Sequence, residues 1–428
     1  MSFETIKTIV LNVLVFLSIF LTYQLWTIQP DYEQLDNLET VEKVVLGPER
    51  KLSSVVQPIQ TIFHLEGDHV GAYNLNGFQE IYQLFLSGTY SDVQEQTLDM
   101  TRLNQLIEQR QSVEFIFPDG LPMSMFRHML TIEDEDAFLS EIERIVLFEQ
   151  TVNDRLNTKV WFISFDQGRY LEAEMKSHSL ANFLDLYQQN EASFVNVARK
   201  KTDGHQPSLY FPKESIEANV YQAYPSLIEE NQLIEALFPD PTVVRQSNRE
   251  NGIRAYTDGS RELKLLLDAD DVTYINPTRG ADQRLESESA VLQVFQFVNS
   301  HGGFTNPFML LNVENRNDRL VEIEFHLNFN GYPTFGSSIC RLNVVWQDHE
   351  VFEYHRSMNV VQDIIYEDSD AVELLPDQEM MKIIGSDLDE IENIMIGYTI
   401  SEYDEYLLFS PSWYIQHQGV WEALQKEG

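Results

Sequence analysis

Cysteine is almost absent from this sequence. Cys340 is the single one, so no disulfide can form within the chain, and its domains have to be held together by apolar cores. Basic residues are also scarce, 29 against 68 acidic, which leaves a net charge of −39. Such a surface repels nucleic acid and anionic lipid headgroups, and argues against binding through a basic patch. A third scarcity is local. Between Thr8 and Gln29 the chain reads TIVLNVLVFLSIFLTYQLWTIQ, 22 residues without Asp, Glu, Lys or Arg.

Motifs of common chemistry are missing as well. There is no G-x-S-x-G, since Gly336, Ser337 and Ser338 have the wrong spacing, and HGGF at 301–304 has no nucleophile elbow to serve. His349 and Glu350 begin a zinc-like pattern, but the position for the second ligand holds Glu353, and His355 lies beyond it. Neither DADDVTYIN (268–276) nor DLDEIEN (387–393) carries the calcium-loop ladder. Walker and G-x-G-x-x-G motifs are absent, and C-x-x-C needs two cysteines. No catalytic, cofactor-binding or metal-ligating residue is therefore assigned. Cys340, in the strand-like SSICRLNVVW, reads as a small buried apolar residue, and Arg127, His128, Tyr354 and His355 read as packing or surface.

What is present begins with the apolar stretch. At about 1.5 Å per helical residue, Thr8–Gln29 spans the roughly 30 Å hydrocarbon core of a bilayer. Lys7 lies before it and Asp31, Glu33, Asp36 and Glu39 after it, which places residues 1–7 in the cytoplasm and Pro30 onward outside. Its exit, Thr22 to Trp26, lacks the small residues of a cleavage site and favours a retained anchor over a cleaved signal peptide. Thr8, Asn12, Ser18 and Thr22 fall within an arc of about 120°, with Val15, Ile19 and Trp26 between them. Ser18 and Thr22 can satisfy themselves on backbone carbonyls, but the Asn12 amide cannot, so the stripe is expected to face a partner helix.

The remainder has apolar content suited to two or three folded domains of about 100–200 residues. The expectation is an α+β ectodomain of antiparallel sheets packed with helices, divided into 30–156, 157–278 and 279–428. Helices are predicted at FQEIYQLFLSG, LDMTRLNQLIEQR, LANFLDLYQQ, LIEENQLIEALF, ESESAVLQVFQFVNS and Pro376–Ile384. An acidic-headed helix is predicted over IEDEDAFLSEIERIVLFEQ, with Phe138, Leu139, Ile142 and Ile145 inward. VEFIFP reads as a strand ended by Pro118, with DGLPMSMF as the loop after it. Hairpins are predicted at the turns DQG (166–168), DG (258–259) and NG (330–331). The order of helix, hairpin and further strands recurs in the last two units, a pattern consistent with duplication.

The stretch LSIFLTYQLWTIQPDYE at 17–33 resembles the YycH (WalH) family, in which a similar apolar run is followed by Leu-Trp-Thr and Gln-Pro-(Asp/Asn)-Tyr. VEFIFPDGLPMSMF (113–126), FNGYPTF (329–335) and PSWYI (411–415) continue the resemblance in order along the chain. The resemblance implies a single-pass, non-enzymatic extracytoplasmic regulator of the WalK (YycG) sensor histidine kinase in Gram-positive bacteria. Such proteins act with YycI, partly through transmembrane helix contacts, on cell-wall metabolism, and their last two domains share topology. The acidity of this chain exceeds what the family would suggest, so a docking surface built on charge need not carry over. The residues alone leave a second class open, an exported ligand-binding or envelope scaffold module, with a cell-wall hydrolase behind it.

Overall fold

Alternating and β-branched apolar residues make strands the main element among the described residues. The computed structural model describes residues 44–133, 139, 141–152, 154–202, 206–248, 252–277, 287–317, 320–347 and 350–424, and from the first 43 residues only Lys7 and Val15, both helical. The expected spanning helix at 8–29 thus lies, Val15 apart, outside the described residues. Among these residues no helix is long and apolar enough to cross a membrane.

The first sheet contains β1 (Gln60–Leu65), β2 (Asp68–Ala72), β3 (Thr89–Thr97), β4 (Ser112–Pro122), β5 (Thr131–Ile132), β6 (Glu141–Val152), β7 (Arg155–Ser164), β8 (Arg169–Met175), β9 (Val195–Lys200) and β10 (Leu209–Pro212). Its spatial order is β10-β9-β2-β1-β4-β6-β7-β8-β3-β5, antiparallel except for the β3–β5 pair. Helices α1 (Leu75–Leu86) and α4 (Leu180–Gln189) cover one face through Phe78, Ile81, Tyr82, Phe85, Leu180 and Phe183. Helix α2 (Met100–Gln109) covers the other through Leu103, Leu106 and Ile107, which meet Val146, Phe148 and Trp161. These three helices fall where the 3.6-residue periodicity predicts them.

The second sheet is built from β11 (Ile216–Leu227), β12 (Arg245–Asn248), β13 (Ile253–Thr257), β14 (Glu262–Leu266), β15 (Asp271–Ile275), β16 (Phe308–Asn317), β17 (Leu320–Phe329), β18 (Tyr332–Phe335), β19 (Arg341–Gln347), β20 (Glu350–Ser357), β21 (Asn359–Leu374), β22 (Ile391–Glu402), β23 (Leu407–His417) and β24 (Val420–Ala423). It runs β12-β13-β14-β15-β20-β19-β17-β18-β22-β23-β11-β21, with β16 added on β17 and β24 on β23. Helix α3 (Met123–Met129) follows β4, and α5 (Glu230–Leu237), α6 (Ser287–Ser300) and α7 (Asp377–Ile384) belong to the second half. The architecture is the expected α+β class with large, mainly antiparallel sheets.

Two local expectations are corrected. The helix predicted over 132–150 is strand β6 from Glu141 onward; Phe138 lies outside the described residues. Ile145 and Leu147 face one core while Val146 and Phe148 face the other, so both sides of the strand are apolar. A continuous run such as IVLF in a doubly covered strand carries no period of two, and imitates a buried helix. The second correction concerns β4, which does not end at Pro118. It bulges between Ile116 and Leu121 and resumes pairing with β6, after which MSMFRHM forms α3 rather than a loop.

Residues 44–428 form one compact unit. The boundary expected at 156/157 falls inside the β6–β7 hairpin, where Gln150 pairs with Asn157 and Thr151 with Leu156, and the first sheet continues through it. The boundary expected at 278/279 lies outside the described residues, and β15 before it pairs with β20 beyond it.

Candidate functional site

The two sheets meet along a seam made from the short motifs of the sequence. Ile62, Ile116, Val197 and Tyr210 of the first sheet share a core with Met309, Leu311, Ile394 and Trp413 of the second. Tyr73 packs edge-on against Trp413 with ring centroids 5.1 Å apart, and Phe335 stacks on Tyr414 at 4.0 Å. The NG turn docks on the start of α1: Asn74 and Asn76 donate their amides to Asn330 O at 2.9 and 3.0 Å. Asn330 and Gly331 both have positive φ, the two-residue turn that NG favours, and a Cβ on Gly331 would lie 2.7 Å from Asn74 Oδ1. HGGF has a related use. Leu46 and Gly47 donate to Gly302 O at 2.8 Å, and a Cβ on Gly303 would lie 2.2 Å from Gly47 O, so these glycines let residues 46–48 lie against the end of α6.

Below the seam the first sheet buries a charged cluster. The Glu114 carboxylate on β4 accepts from Arg144 of β6 at 2.7 Å, from the Tyr210 hydroxyl of β10 at 2.6 Å and from His64 of β1 at 3.1 Å. Burial would raise the pKa of Glu114, but Arg144 and the hydrogen bonds from His64 and Tyr210 outweigh it and hold the carboxyl well below its usual range. Because His64 donates to Glu114 through Nε2, its Nδ1 is left to accept from His69 Nδ1 at 2.9 Å. Burial lowers both imidazoles, His69 to about 4, so the pair is neutral at neutral pH. Arg144 lies 5.9 Å from the rings of both Phe165 and Tyr210.

Arg144 also reaches a cleft of about 760 Å³ between the sheets. Its walls come from the β4 bulge (Phe117 to Gly120), the start of β6, the β7–β8 turn, Gln206 and Pro207, and the β22–β23 hairpin. Asp119, Glu141, Glu143, Asp166 and Glu392 all line it. The bulge takes Asp119 out of the ladder, where its carboxylate accepts from Gly120 N at 2.8 Å and from Val313 N of the second sheet at 3.2 Å. Burial pushes Asp119 up to about 7 despite those donors. Glu143 accepts from the backbone of Phe165 and, at 3.3 Å, of Asp166, and burial raises it to about 8. Burial and then Asp166 raise Glu141. Both oxygens of Asp119 and of Glu143 are thus held by backbone N–H groups, an arrangement that braces loops rather than presenting a free general acid or base.

The helix-contact residues expected from the sequence, Thr8, Asn12, Ser18, Ile19, Thr22 and Trp26, lie outside the described residues; Val15 is helical and exposed. Cys340 is fully buried, and burial raises its thiol to about 11, which suits packing and not nucleophilic use. His355 is tied to Thr273 at 3.0 Å and Glu353 at 2.7 Å, and His349 is outside the described residues. Among the described residues no group of three His, Cys, Asp or Glu side chains is placed to hold a metal. The Glu114 cluster was missed by motif reading. Its trace in the sequence is Glu114 inside the apolar run VEFIF and Arg144 at the head of the apolar run RIVLF, where a strand covered on both faces must pair each charge.

The chain is thus a two-sheet α+β protein whose motifs build a seam and whose buried charges cross-link strands. The chain is a member of the YycH family: the family model for the YycH protein N-terminal domain matches residues 4–192, and that for its C-terminal domain matches residues 206–428. It is 21% identical over 456 aligned positions, covering 99% of this chain and 98% of the relative, to the two-component system WalR/WalK regulatory protein YycH of Bacillus subtilis (strain 168). The crystal structure of YycH from Bacillus subtilis has the same fold, with a TM-score of 0.73, 16% identity and coverage of 90% of this chain and 99% of that one.

Proposed function

We propose that this chain is a membrane-anchored, extracytoplasmic regulator of a two-component sensor histidine kinase, the counterpart here of WalK (YycG), with an output in cell-wall metabolism. Residues 1–7 are cytoplasmic, 8–29 span the membrane, and the folded unit lies outside. It acts with YycI, and part of its action passes through the face of Thr8, Asn12, Val15, Ser18, Ile19, Thr22 and Trp26. The observation that carries this reading is the family match over both halves of the chain, which begins at residue 4 and so takes in the uncharged stretch. The relative's name as a WalR/WalK regulatory protein gives it direction. The backbone-held carboxylates of the cleft support a non-enzymatic role.

Replacing residues 8–29 with an unrelated spanning helix of equal length tests the anchor mechanism. The expected result is a chain that inserts and folds while kinase-dependent transcription loses its response to it; an unchanged response would reject the mechanism. Asn12→Leu narrows the test to the polar stripe, and co-purification with the kinase membrane helices is expected to fall. One observation favours a second reading, an exported ligand-binding module: the cleft beside the β4 bulge.

A further inference from the structure

The cleft is lined by hydrogen-bond acceptors that no described residue satisfies. Gln416 on β23 is only 4% exposed and pairs across the hairpin with Asn393, so the two side chains share a face. Asn393 donates to Phe117 O at 2.8 Å on the cleft wall, while the Gln416 amide lines the same cleft without a hydrogen-bond partner among the described residues. In the lining of the same cleft, Gln206 Oε1 is buried with no donor and the half-buried Glu141 carboxylate receives none among the described residues. Among the described residues Arg144 is the one cationic side chain lining the cleft, and its charge is already balanced by Glu114.

We propose that this cleft binds an alkylammonium group, supplied by a free diamine or by a lysine side chain of a partner protein. An ammonium carries three N–H donors and no acceptor, which matches walls that carry acceptors in excess. Its positive charge answers the carboxylates of Asp166 and Glu392 and, in their ionised forms, those of Asp119, Glu141 and Glu143, which converge from β6, the β7–β8 turn, the β4 bulge and β22. Phe117, Leu98 and Phe165 supply apolar surface for the alkyl stem and an aromatic face for the charge. A metal ion fits less well, because no three of these carboxylates are arranged to coordinate one. The lowered acidities of Asp119, Glu141 and Glu143 are what crowded, desolvated carboxylates show.

The test is calorimetric titration of the full chain in detergent micelles with 1,5-diaminopentane and, separately, with Nα-acetyl-lysine N-methylamide; 1,5-pentanediol is the uncharged control. Saturable binding of at least one amine is expected, with none for the diol. It should tighten from pH 6 to pH 9 as Asp119 and Glu143 ionise in the field of Glu141, Asp166, Glu392 and Arg144. Gln416→Ala is expected to weaken binding by about threefold to tenfold, the loss of one hydrogen bond. Glu141→Gln should weaken it at least as much, and Glu235→Gln, on the surface of α5, should not. Binding of the diamine alone assigns a free amine, and comparable binding of the lysine amide assigns a partner's side chain. If Gln416→Ala does not fold, Glu141→Gln carries the test. Failure of both amines to saturate, equal binding of the diol, or wild-type binding by the folded cleft variants would overturn the proposal.

Discussion

Glu114 decides whether three other buried groups of the first sheet have partners. Arg144 is held in the interior by that carboxylate, and Tyr210 and His64 donate to it. Glu114→Gln keeps the shape and removes the charge, which strands Arg144. The expected loss is about 3–5 kcal/mol, read by chemical denaturation. Glu114→Gln combined with Arg144→Met should recover part of it, and a double variant as unstable as the single one would count against the charge argument. A pH series separates the groups by sign. His69 has a folded pKa lowered from 6.5 to about 4, so its contribution is complete above 6.5 and is lost as pH falls toward 4. Asp119 is the reverse case: with its pKa raised from 3.8 to about 7, its ionisation opposes folding progressively as pH rises through that window. Asp119→Asn loses one side-chain acceptor for a backbone N–H, but its stability relative to the wild type should climb between pH 4 and 7 and level off above. Thermal melting across that range checks it, and a flat difference would mean that Asp119 does not titrate there.

The strand β6 shows how much of an element can be read from its residues. Its neighbours β7 and β8 were legible because KVWFISFDQGRYLEAEM has two β-rich runs around a turn, and α1, α2 and α4 were legible because each has one apolar face. In β6 the arrangement of Ile145, Val146, Leu147 and Phe148, apolar on both sides, comes from tertiary context: α2 covers one face and α1 with α4 the other. The same context hides the Glu114–Arg144 pair and the cleft, whose walls come from segments hundreds of residues apart, such as Asp119 and Gln416. The uncharged stretch at 8–29 and the absence of common catalytic motifs need no such context and stand in the sequence itself. Aspartate substitutions distinguish strand from helix directly. In β6, Ile145→Asp and Val146→Asp each bury an unpaired carboxylate, so both should abolish folding or cost several kcal/mol. A helix with Phe138, Leu139, Ile142 and Ile145 inward would tolerate Val146→Asp, and secondary structure and melting of the two variants discriminate the cases.

At the scale of the whole molecule, the question is whether the two sheets behave as one body. A chain with no internal disulfide and a charge of −39 needs non-covalent contacts to oppose its self-repulsion, and the seam is where packing joins the halves. Trp413 is at its centre: it is buried, touches Tyr73 of the first half edge-on and donates its indole N–H to Leu375 O at 3.0 Å. Hydrogen bonds cross the seam as well, from Asn393 to Phe117 O at 2.8 Å and from Val313 N to Asp119 at 3.2 Å. Trp413→Ala should therefore cost about 3–5 kcal/mol and act at a distance. Amide exchange in β1 and β4 of the first sheet should accelerate together with exchange in β22 and β23 of the second. A relay from a ligand in the cleft to the rest of the protein needs such a shared core, because a ligand biases another region only through contacts that change with it. If exchange accelerates in β22 and β23 while β1 and β4 keep wild-type protection, the sheets unfold independently, and the seam joins them in place without coupling them.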